Sequence, residues 1–234
     1  MISKSEKIIF PLNLMEFKDK NVLFISGHTD DAEITVGATM ARLVDEGANV
    51  YYLALTATDN KEMLREEATN AMAVLGISKS NYIFHDFQDM KFPEQRQPIL
   101  QFIERYRDLW HPQIVFCPAF RVYDHQDHKT ASWAAITATK WTVDMILGYD
   151  ITWNTVVDPF NPKFYMEVSY DHLIKKMDAL RCYKSQAEKF YASEKVMEAR
   201  ARATGVQVGV RFAESFEIYR EVVRLGYEDQ YPEV

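Results

Sequence analysis

Cysteine is scarce in this sequence, with only Cys117 and Cys182 among 234 residues. Two cysteines cannot build the disulfide framework of a small secreted domain, and Cys117 lies in an apolar run typical of a buried strand. Long hydrophobic runs are also missing, because residues 50–55 form one of the longest and a membrane span needs roughly 20. The first residues lack the apolar stretch of a secretion signal. These absences predict a reduced, cytoplasmic protein without membrane contact.

An excess of basic residues is the second absence. The chain carries 27 Lys and Arg against 34 Asp and Glu, a net charge of −7, and no basic stripe. An acidic chain repels phosphate backbones, so nucleic acid is excluded as an expected partner. Glycine and proline number only 8 each, whereas hydrophobic residues make up 47% and aromatic residues 13%. This composition is typical of a globular protein with a sizeable core.

Short apolar runs alternate with helical patterns from residue 21 onward. The predicted strands cover residues 21–25, 50–55, 82–84 and 114–117, and a helix of period 3.6 follows each of them. After Trp141 the pattern loosens into predicted strands at 151–153 and 164–168, an amphipathic helix near 173–180 and a charged helix at 189–202. Repeated βαβ units predict an α/β fold, a Rossmann-like, doubly wound, mostly parallel sheet with helices on both faces. We expect one domain over 1–234, with 1–20 as a peripheral N-terminal segment.

Two acidic clusters contain three of the six histidines. The first, His28-Thr29-Asp30-Asp31-Ala32-Glu33, directly follows the first strand. The second, Tyr123-Asp124-His125-Gln126-Asp127-His128, comes shortly after the fourth strand. In the common strand order 3-2-1-4 these two strands are neighbours, and the loops at their carboxyl ends face one crevice. The topology therefore predicts that clusters about one hundred residues apart meet.

Imidazole and carboxylate together suit a catalytic zinc site, which uses three protein ligands and one open position. His28, Asp31 and His128 make such a set, although two histidines and a carboxylate also serve iron or cobalt. Asp30 would then be free to act as the base. His125 and Tyr123 could face a substrate carbonyl, and Asp127 could orient a histidine from behind.

Each of these residues also has a purely structural interpretation. Asp30, Asp31 and Glu33 precede a helix, where acidic side chains cap the first turn. His125 and His128, three apart, could be one face of a turn, and Tyr123 could serve packing alone. For the whole chain, the alternatives are a metal-dependent hydrolase of a phosphoester or non-sugar amide, and a non-catalytic module binding a sugar or nucleotide. No glycine-rich phosphate cradle or Gly-x-Gly-x-x-Gly follows the first strand, which disfavours phosphate ligands and dinucleotides.

The two clusters resemble the signatures of a known family. Residues 28–33 are similar to the His-Pro-Asp-Asp-x-Glu motif of LmbE-like (PIG-L) deacetylases, and residues 125–128 are similar to their His-x-Asp-His motif. The resemblance covers most of the chain from about residue 20, although Thr29 replaces the usual proline and residues 34–39 are less rich in glycine. It implies a Rossmann-like fold and zinc-dependent removal of acyl groups from the nitrogen of amino sugars.

The resemblance also implies a role for each matching residue. The zinc ligands would be His28, Asp31 and His128, and the general base would be Asp30. His125 would protonate the leaving amine or stabilise the tetrahedral intermediate, with Asp127 orienting it.

Outside the ligand set the resemblance assigns further contacts. Tyr123 would assist the oxyanion. Arg65 matches an arginine that can touch substrate hydroxyls, and the alternative is a salt bridge with a helix neighbour. Residues 141–161 have no clear counterpart in the family; within them, Trp153 and Phe160 could stack on a sugar or simply pack. The expected ligand is a small amino-sugar molecule, and members of the family are often homo-oligomers.

Overall fold

One sheet organises the computed structural model, which describes residues 16–57, 61–120, 125–151, 159–189 and 193–223. Within these ranges seven strands pair in the order β3-β2-β1-β4-β5-β7-β6. The first five pair in parallel, and β7 runs antiparallel to β5 and β6. The strands are β1 Asn21–His28, β2 Asn49–Thr56, β3 Tyr82–Phe84, β4 Ile114–Pro118, β5 Met145–Tyr149, β6 Phe164–Glu167 and β7 Ala213–Glu221.

Helices cover both faces of this sheet. Side chains of β1 alternate between two cores, with Val22 and Phe24 in one and Leu23 and Ile25 in the other. The first core also receives apolar residues from α1, α2 and α5, and the second from α3 and α4. The helices are α1 Asp31–Asp45, α2 Lys61–Leu75, α3 Arg96–Trp110, α4 Gln126–Thr139, α5 Tyr170–Arg181 and α6 Glu194–Val208. The doubly wound architecture and the neighbouring positions of β1 and β4 are therefore as predicted.

Glycines end the first two helices as the sequence indicates. Gly47 and Gly76 adopt φ of 83° and 81° just after α1 and α2, a left-handed conformation that glycine adopts without steric cost. Helix α3 stops at Trp110, before Pro112, because proline cannot supply the next amide.

Two strands are missing from the sequence prediction. Strand β5 was not predicted, and the strand expected at 151–153 lies largely outside the described residues. Gly148 interrupts the short apolar run of β5, because a Cβ there would come within 2.6 Å of the Tyr219 hydroxyl. Strand β7 is largely buried over residues 213–216 and partly or fully exposed over 217–221. It adds antiparallel pairing that the βαβ pattern does not predict. No helix among the described residues is long and apolar enough to cross a membrane.

Candidate metal centre and active site

The crevice at the carboxyl ends of β1 and β4 brings the two sequence clusters together. The strands pair in parallel through Val22–Ile114 to Phe24–Phe116. His28 is the last residue of β1, Asp31 is the first residue of α1, and His128 lies in the first turn of α4. The chain thus delivers both clusters from rigid elements, as the strand order predicts.

Three donor atoms form a nearly equilateral triangle in this crevice. Asp31 Oδ2 lies 3.1 Å from His28 Nδ1 and 3.1 Å from His128 Nε2, and the two nitrogens are 3.1 Å apart. The backbone N–H of His28 also donates to Asp31 Oδ2 at 2.9 Å, which fixes the carboxylate. Two imidazole nitrogens and one carboxylate oxygen, from two segments distant in sequence, thus converge on one point.

Gly27 makes this convergence possible. A Cβ at Gly27 would lie 2.9 Å from Cδ2 of His128, closer than real Cβ contacts allow, and a tight 3.2 Å from Oδ2 of Asp31. The residue before His28 must therefore lack a side chain if His128 is to approach the first cluster.

The triangle fits a divalent metal ion by its chemistry and its spacing. Two imidazole nitrogens and one carboxylate oxygen are ligands that zinc and related metals prefer. Ligand atoms held about 2.0–2.1 Å from one tetrahedral ion lie roughly 3.3 Å from one another, close to the spacing found here. His28, Asp31 and His128 could hold such an ion.

Asp89 is a functional candidate that the sequence analysis missed. Its Oδ1 lies 3.0 Å from His28 Nε2, the ring nitrogen that faces away from the triangle. A carboxylate at this position accepts a hydrogen bond from Nε2–H and leaves Nδ1 free as a ligand, an arrangement typical of metal-binding histidines. Asp89 lies in the loop that follows β3, and β3 lies beside β2, which pairs with β1. Because the loops after these parallel strands lie at the same edge of the sheet, this position is the sequence signal that could have identified Asp89.

The charges of the cluster support one another. Burial alone would raise the pKa of Asp31, but His128 and His28 outweigh it and hold this pKa well below its usual range. Burial favours neutral His28, yet Asp31 and Asp89 together raise its pKa well above 6.5. The hydrogen bond from His28 in turn lowers the pKa of Asp89. In the metal-free protein the crevice therefore retains a proton that a metal ion would displace.

Asp30 lies at the N-cap position of α1, but its side chain does not cap the helix. It makes no hydrogen bond to the amides of the first turn. Burial and the neighbouring Asp31 raise the pKa of Asp30, opposed by Lys189, whose Nζ lies 3.8 Å from Asp30 Oδ2. The capping interpretation thus does not explain this residue, whose carboxylate is paired with Lys189 and lies next to the ligand candidate Asp31 in sequence.

His125 is held as a neutral imidazole at the edge of the cluster. Its ring stacks on His128 with centroids 4.6 Å apart, and its Nδ1 accepts a hydrogen bond from the backbone N–H of Asp127 at 3.3 Å. Burial, His128 and His28 lower the pKa of His125 to about 4. Because Nδ1 accepts, the proton of the neutral ring lies on Nε2, which is then a donor.

The Asp127 carboxylate has a different contact from the one expected. Instead of orienting a histidine, it accepts hydrogen bonds from the backbone N–H groups of Met90 at 2.6 Å and Phe92 at 3.1 Å. Asp127 therefore anchors the loop that carries Asp89, while its own backbone contacts His125. The sequence pattern gave no means of distinguishing these two contacts.

Two buried tyrosines hold the loop between His28 and Asp31. The Tyr52 hydroxyl donates to the carbonyl oxygen of Thr29 at 3.2 Å, and the Tyr183 hydroxyl donates to the same oxygen. Thr29 is the residue that replaces the usual proline of the motif. The same hydroxyls lie 2.9 Å and 2.5 Å from the carboxylate oxygens of Glu33. Burial raises the pKa of Glu33 to about 8, although bonds from both tyrosines oppose the shift. Glu33 thus joins a hydrogen-bond network rather than capping α1.

Of the remaining predicted residues, Arg65 and Phe160 have other contacts, and two lie outside the described residues. Arg65 Nη2 pairs with Asp86 Oδ1 at 2.7 Å, so its ion-pair partner lies in the loop after β3 and not on its own helix. Phe160 packs against the first core. Tyr123 and Trp153 fall outside the described residues.

Fold and site together define a doubly wound α/β protein with a buried His–Asp–His centre at its switch point. Residues 23–139, half of the chain, match the PIG-L family, described as GlcNAc-PI de-N-acetylase. The chain belongs to this family, and it is a metal-dependent N-deacetylase.

Three of the proteins to which this chain is similar are named as deacetylases. Diacetylchitobiose deacetylase of Thermococcus kodakarensis is 31% identical over 209 residues, which cover 77% of this chain and 75% of that protein. The "uncharacterized deacetylase YaiS" of Escherichia coli is 29% identical, with 72% and 92% covered. The solved N,N'-diacetylchitobiose deacetylase of Pyrococcus horikoshii superposes with a TM-score of 0.71 at 23% identity, covering 93% and 94%. This last likeness shows the fold.

Proposed function

We propose that this chain removes the N-acetyl group from an N-acetylglucosamine-type sugar, using zinc held by His28, Asp31 and His128. The observation that carries the proposal is the 3.1 Å donor triangle beside a carboxylate, Asp30, that caps no helix. When bound, zinc would lower the pKa of water toward about 7 and polarise the amide carbonyl. The names of the relatives support the choice of an acetylated amino sugar.

Asp30 takes the proton of the attacking water on its carboxylate. Its raised pKa, caused by burial and Asp31, supports this role because a carboxylate with a higher pKa is a stronger base. Water oxygen bonds to the acetyl carbon, the carbon–nitrogen bond breaks, and the proton held by Asp30 passes to the leaving amine. The products are acetate and the free amino sugar.

His125 donates its Nε2–H to the carbonyl oxygen as negative charge develops there. Of the two roles expected for this residue, stabilisation of the intermediate fits the neutral ring with a pKa of about 4 better than protonation of the amine. Tyr123 remains a proposed second donor to the same oxygen, and Arg65 a proposed contact to sugar hydroxyls.

The test combines metal content with release of amine from N,N'-diacetylchitobiose and N-acetylglucosamine. We expect about one metal per chain, loss of amine release after chelation and its recovery with zinc; iron and cobalt are added in parallel to identify the most active metal. A chain that takes up no metal, or that releases no amine when loaded, contradicts the proposal.

Variants separate the two roles. Asp30→Asn should keep the metal and lose about 10²–10⁴-fold in turnover, the usual contribution of a positioned base. His128→Ala should lose the metal itself. Asp45→Asn, at the exposed far end of the same helix, is the matched control and should change neither. Full activity of Asp30→Asn would exclude it as the base.

A further inference from the structure

Helix α1 bends one and a half turns after it leaves the metal centre. Val36 has φ −130° and ψ 22°, outside the helical range, although helix continues on both sides. An uninterrupted α-helix would pair the N–H of Thr39 with the carbonyl of Thr35. Sharp bends in helices have identifiable causes, among them a side chain inserted into this hydrogen-bond ladder.

A buried ion pair stands between these two backbone groups. Lys176 of α5 donates from Nζ to the Thr35 carbonyl at 2.9 Å and to Glu214 Oε1 at 2.6 Å. Glu214, in β7, accepts the N–H of Thr39 on Oε2 at 2.7 Å. The Lys176 and Glu214 side chains are only 4% and 5% exposed. The pair therefore bridges the two groups that a straight helix would join directly.

Gly37 leaves room for this bridge. A Cβ at Gly37 would lie 3.0 Å from Cγ and 3.4 Å from Cβ of Lys176. Removing two charges from water is costly, and apolar replacements of buried pairs are often neutral or stabilising. Stability alone is therefore a weak reason for the pair, and its effect on the shape of α1 is a stronger one.

We propose that Lys176 and Glu214 are positioning residues that fix the bend of α1 and so orient its first turn, which carries Asp31. Asp31 lies five residues before Val36, a lever of roughly 7.5 Å at 1.5 Å per residue. A change of about 20° in the bend would move Asp31 by roughly 2.6 Å, and displacements near 1 Å can already cost about 100-fold in rate. This inference rests on the proposed role of Asp31 as a metal ligand.

The test is the double variant Lys176→Met/Glu214→Met. Without the pair, Thr35 and Thr39 can satisfy their backbone groups by bonding to each other, which straightens α1. We expect the variant to fold with a Tm at or above that of the natural chain. Its zinc affinity, measured by competition with a chelator, should fall at least 10-fold, and kcat/KM for N,N'-diacetylchitobiose should fall at least 100-fold.

The matched control removes another link between the same two helices. Lys175 Nζ pairs with Asp45 Oδ1 at 2.6 Å on the exposed side of α5, without entering the ladder of α1. Lys175→Met/Asp45→Asn should retain zinc affinity and kcat/KM within about twofold. An equal loss in both double variants would overturn the proposal, because any tie between α1 and α5 would then serve.

A folded Lys176→Met/Glu214→Met variant with unchanged zinc affinity also overturns it. If that variant does not fold, Glu214→Asp decides: it keeps both charges but withdraws the carboxylate by one methylene, and zinc affinity should fall at least threefold. Unchanged affinity in folded Glu214→Asp would then refute the positioning role. Failure of the natural chain itself to bind zinc refutes the proposed function instead, so the two failures are distinguishable.

Discussion

Asp89 offers the sharpest test of the metal centre, because it touches a proposed ligand without being one. Its carboxylate lies 3.0 Å from His28 Nε2, while His28 Nδ1 points to Asp31 and His128. Asp89→Ala removes the group that keeps the proton on Nε2. His28 is then free to carry its proton on Nδ1, the atom needed for the metal, so metal affinity should fall.

The expected loss follows from the geometry. Hydrogen bonds to charged groups contribute about 1.5–3 kcal/mol, and outer partners of metal-binding histidines typically change metal affinity about 10–100-fold. The Asp89 side chain is 28% exposed, so water screens the contact and the lower end applies. We expect roughly a tenfold weaker zinc affinity, equal to about 1.4 kcal/mol. Asp89→Asn keeps an acceptor oxygen but loses the charge, and should cost roughly threefold.

Competition between the protein and a chromophoric chelator measures this affinity directly. Asp86→Asn is the matched control, since Asp86 lies in the same loop but pairs with Arg65. It should bind zinc like the natural chain. If folded Asp89→Ala binds zinc within twofold of the natural chain, or if Asp86→Asn weakens zinc equally, the assigned role of Asp89 is wrong.

Three further predictions address the surroundings of the centre. Burial raises the pKa of Glu33 from 4.5 to about 8, so its stabilising contribution is complete below pH 4.5 and is lost as pH rises through about 8. The free energy of unfolding of the metal-free protein should therefore fall by up to about 1.4 kcal/mol per pH unit between pH 5 and 8. Urea unfolding of Glu33→Gln should show a flatter dependence of this free energy on pH. Tyr183→Phe removes one hydrogen-bond donor from the buried acceptors of Thr29 and Glu33. In the same assay it should lower the free energy of unfolding by about 1–3 kcal/mol. No change would show that Tyr183 does not hold the loop between His28 and Asp31. If Arg65 contacts the sugar, Arg65→Met should raise KM for N,N'-diacetylchitobiose with little change in kcat. Equal effects of Arg65→Met and Asp86→Asn on KM would instead mean that Arg65 serves only as the structural partner of Asp86.

The sequence predicts the part of the fold that rests on strong periodicity. Buried strands such as β1 and helix ends such as Gly47 and Gly76 follow from local patterns that tertiary contacts reinforce. The meeting of His28 with His128 also follows, because strand order alone brings their loops together. Strand β5 is not predicted, because Gly148 interrupts its apolar pattern. This glycine makes room for Tyr219, which lies 71 positions later and which no local pattern reveals.

Contacts of the centre are predictable only where they lie within a motif. Asp127 has the spacing of a residue that orients His125, yet its carboxylate bonds the amides of Met90 and Phe92. Which of two hydrogen-bond partners a carboxylate takes depends on where another loop runs, and a sequence does not give that distance. The same reason hides Asp89, whose role depends on the ring orientation of His28.

The geometry of the first motif therefore depends on groups that lie far along the chain from it. Tyr183 restrains the Thr29 carbonyl and Asp89 the ring of His28, while Glu214 acts on α1 behind Asp31. A proline in place of Thr29 would stiffen the loop by fixing φ. Here the loop is restrained instead by hydrogen bonds from buried hydroxyls to the Thr29 carbonyl, and the strength of these bonds depends on the exclusion of water. A His-x-Asp-Asp motif placed on another doubly wound sheet would lack these restraints.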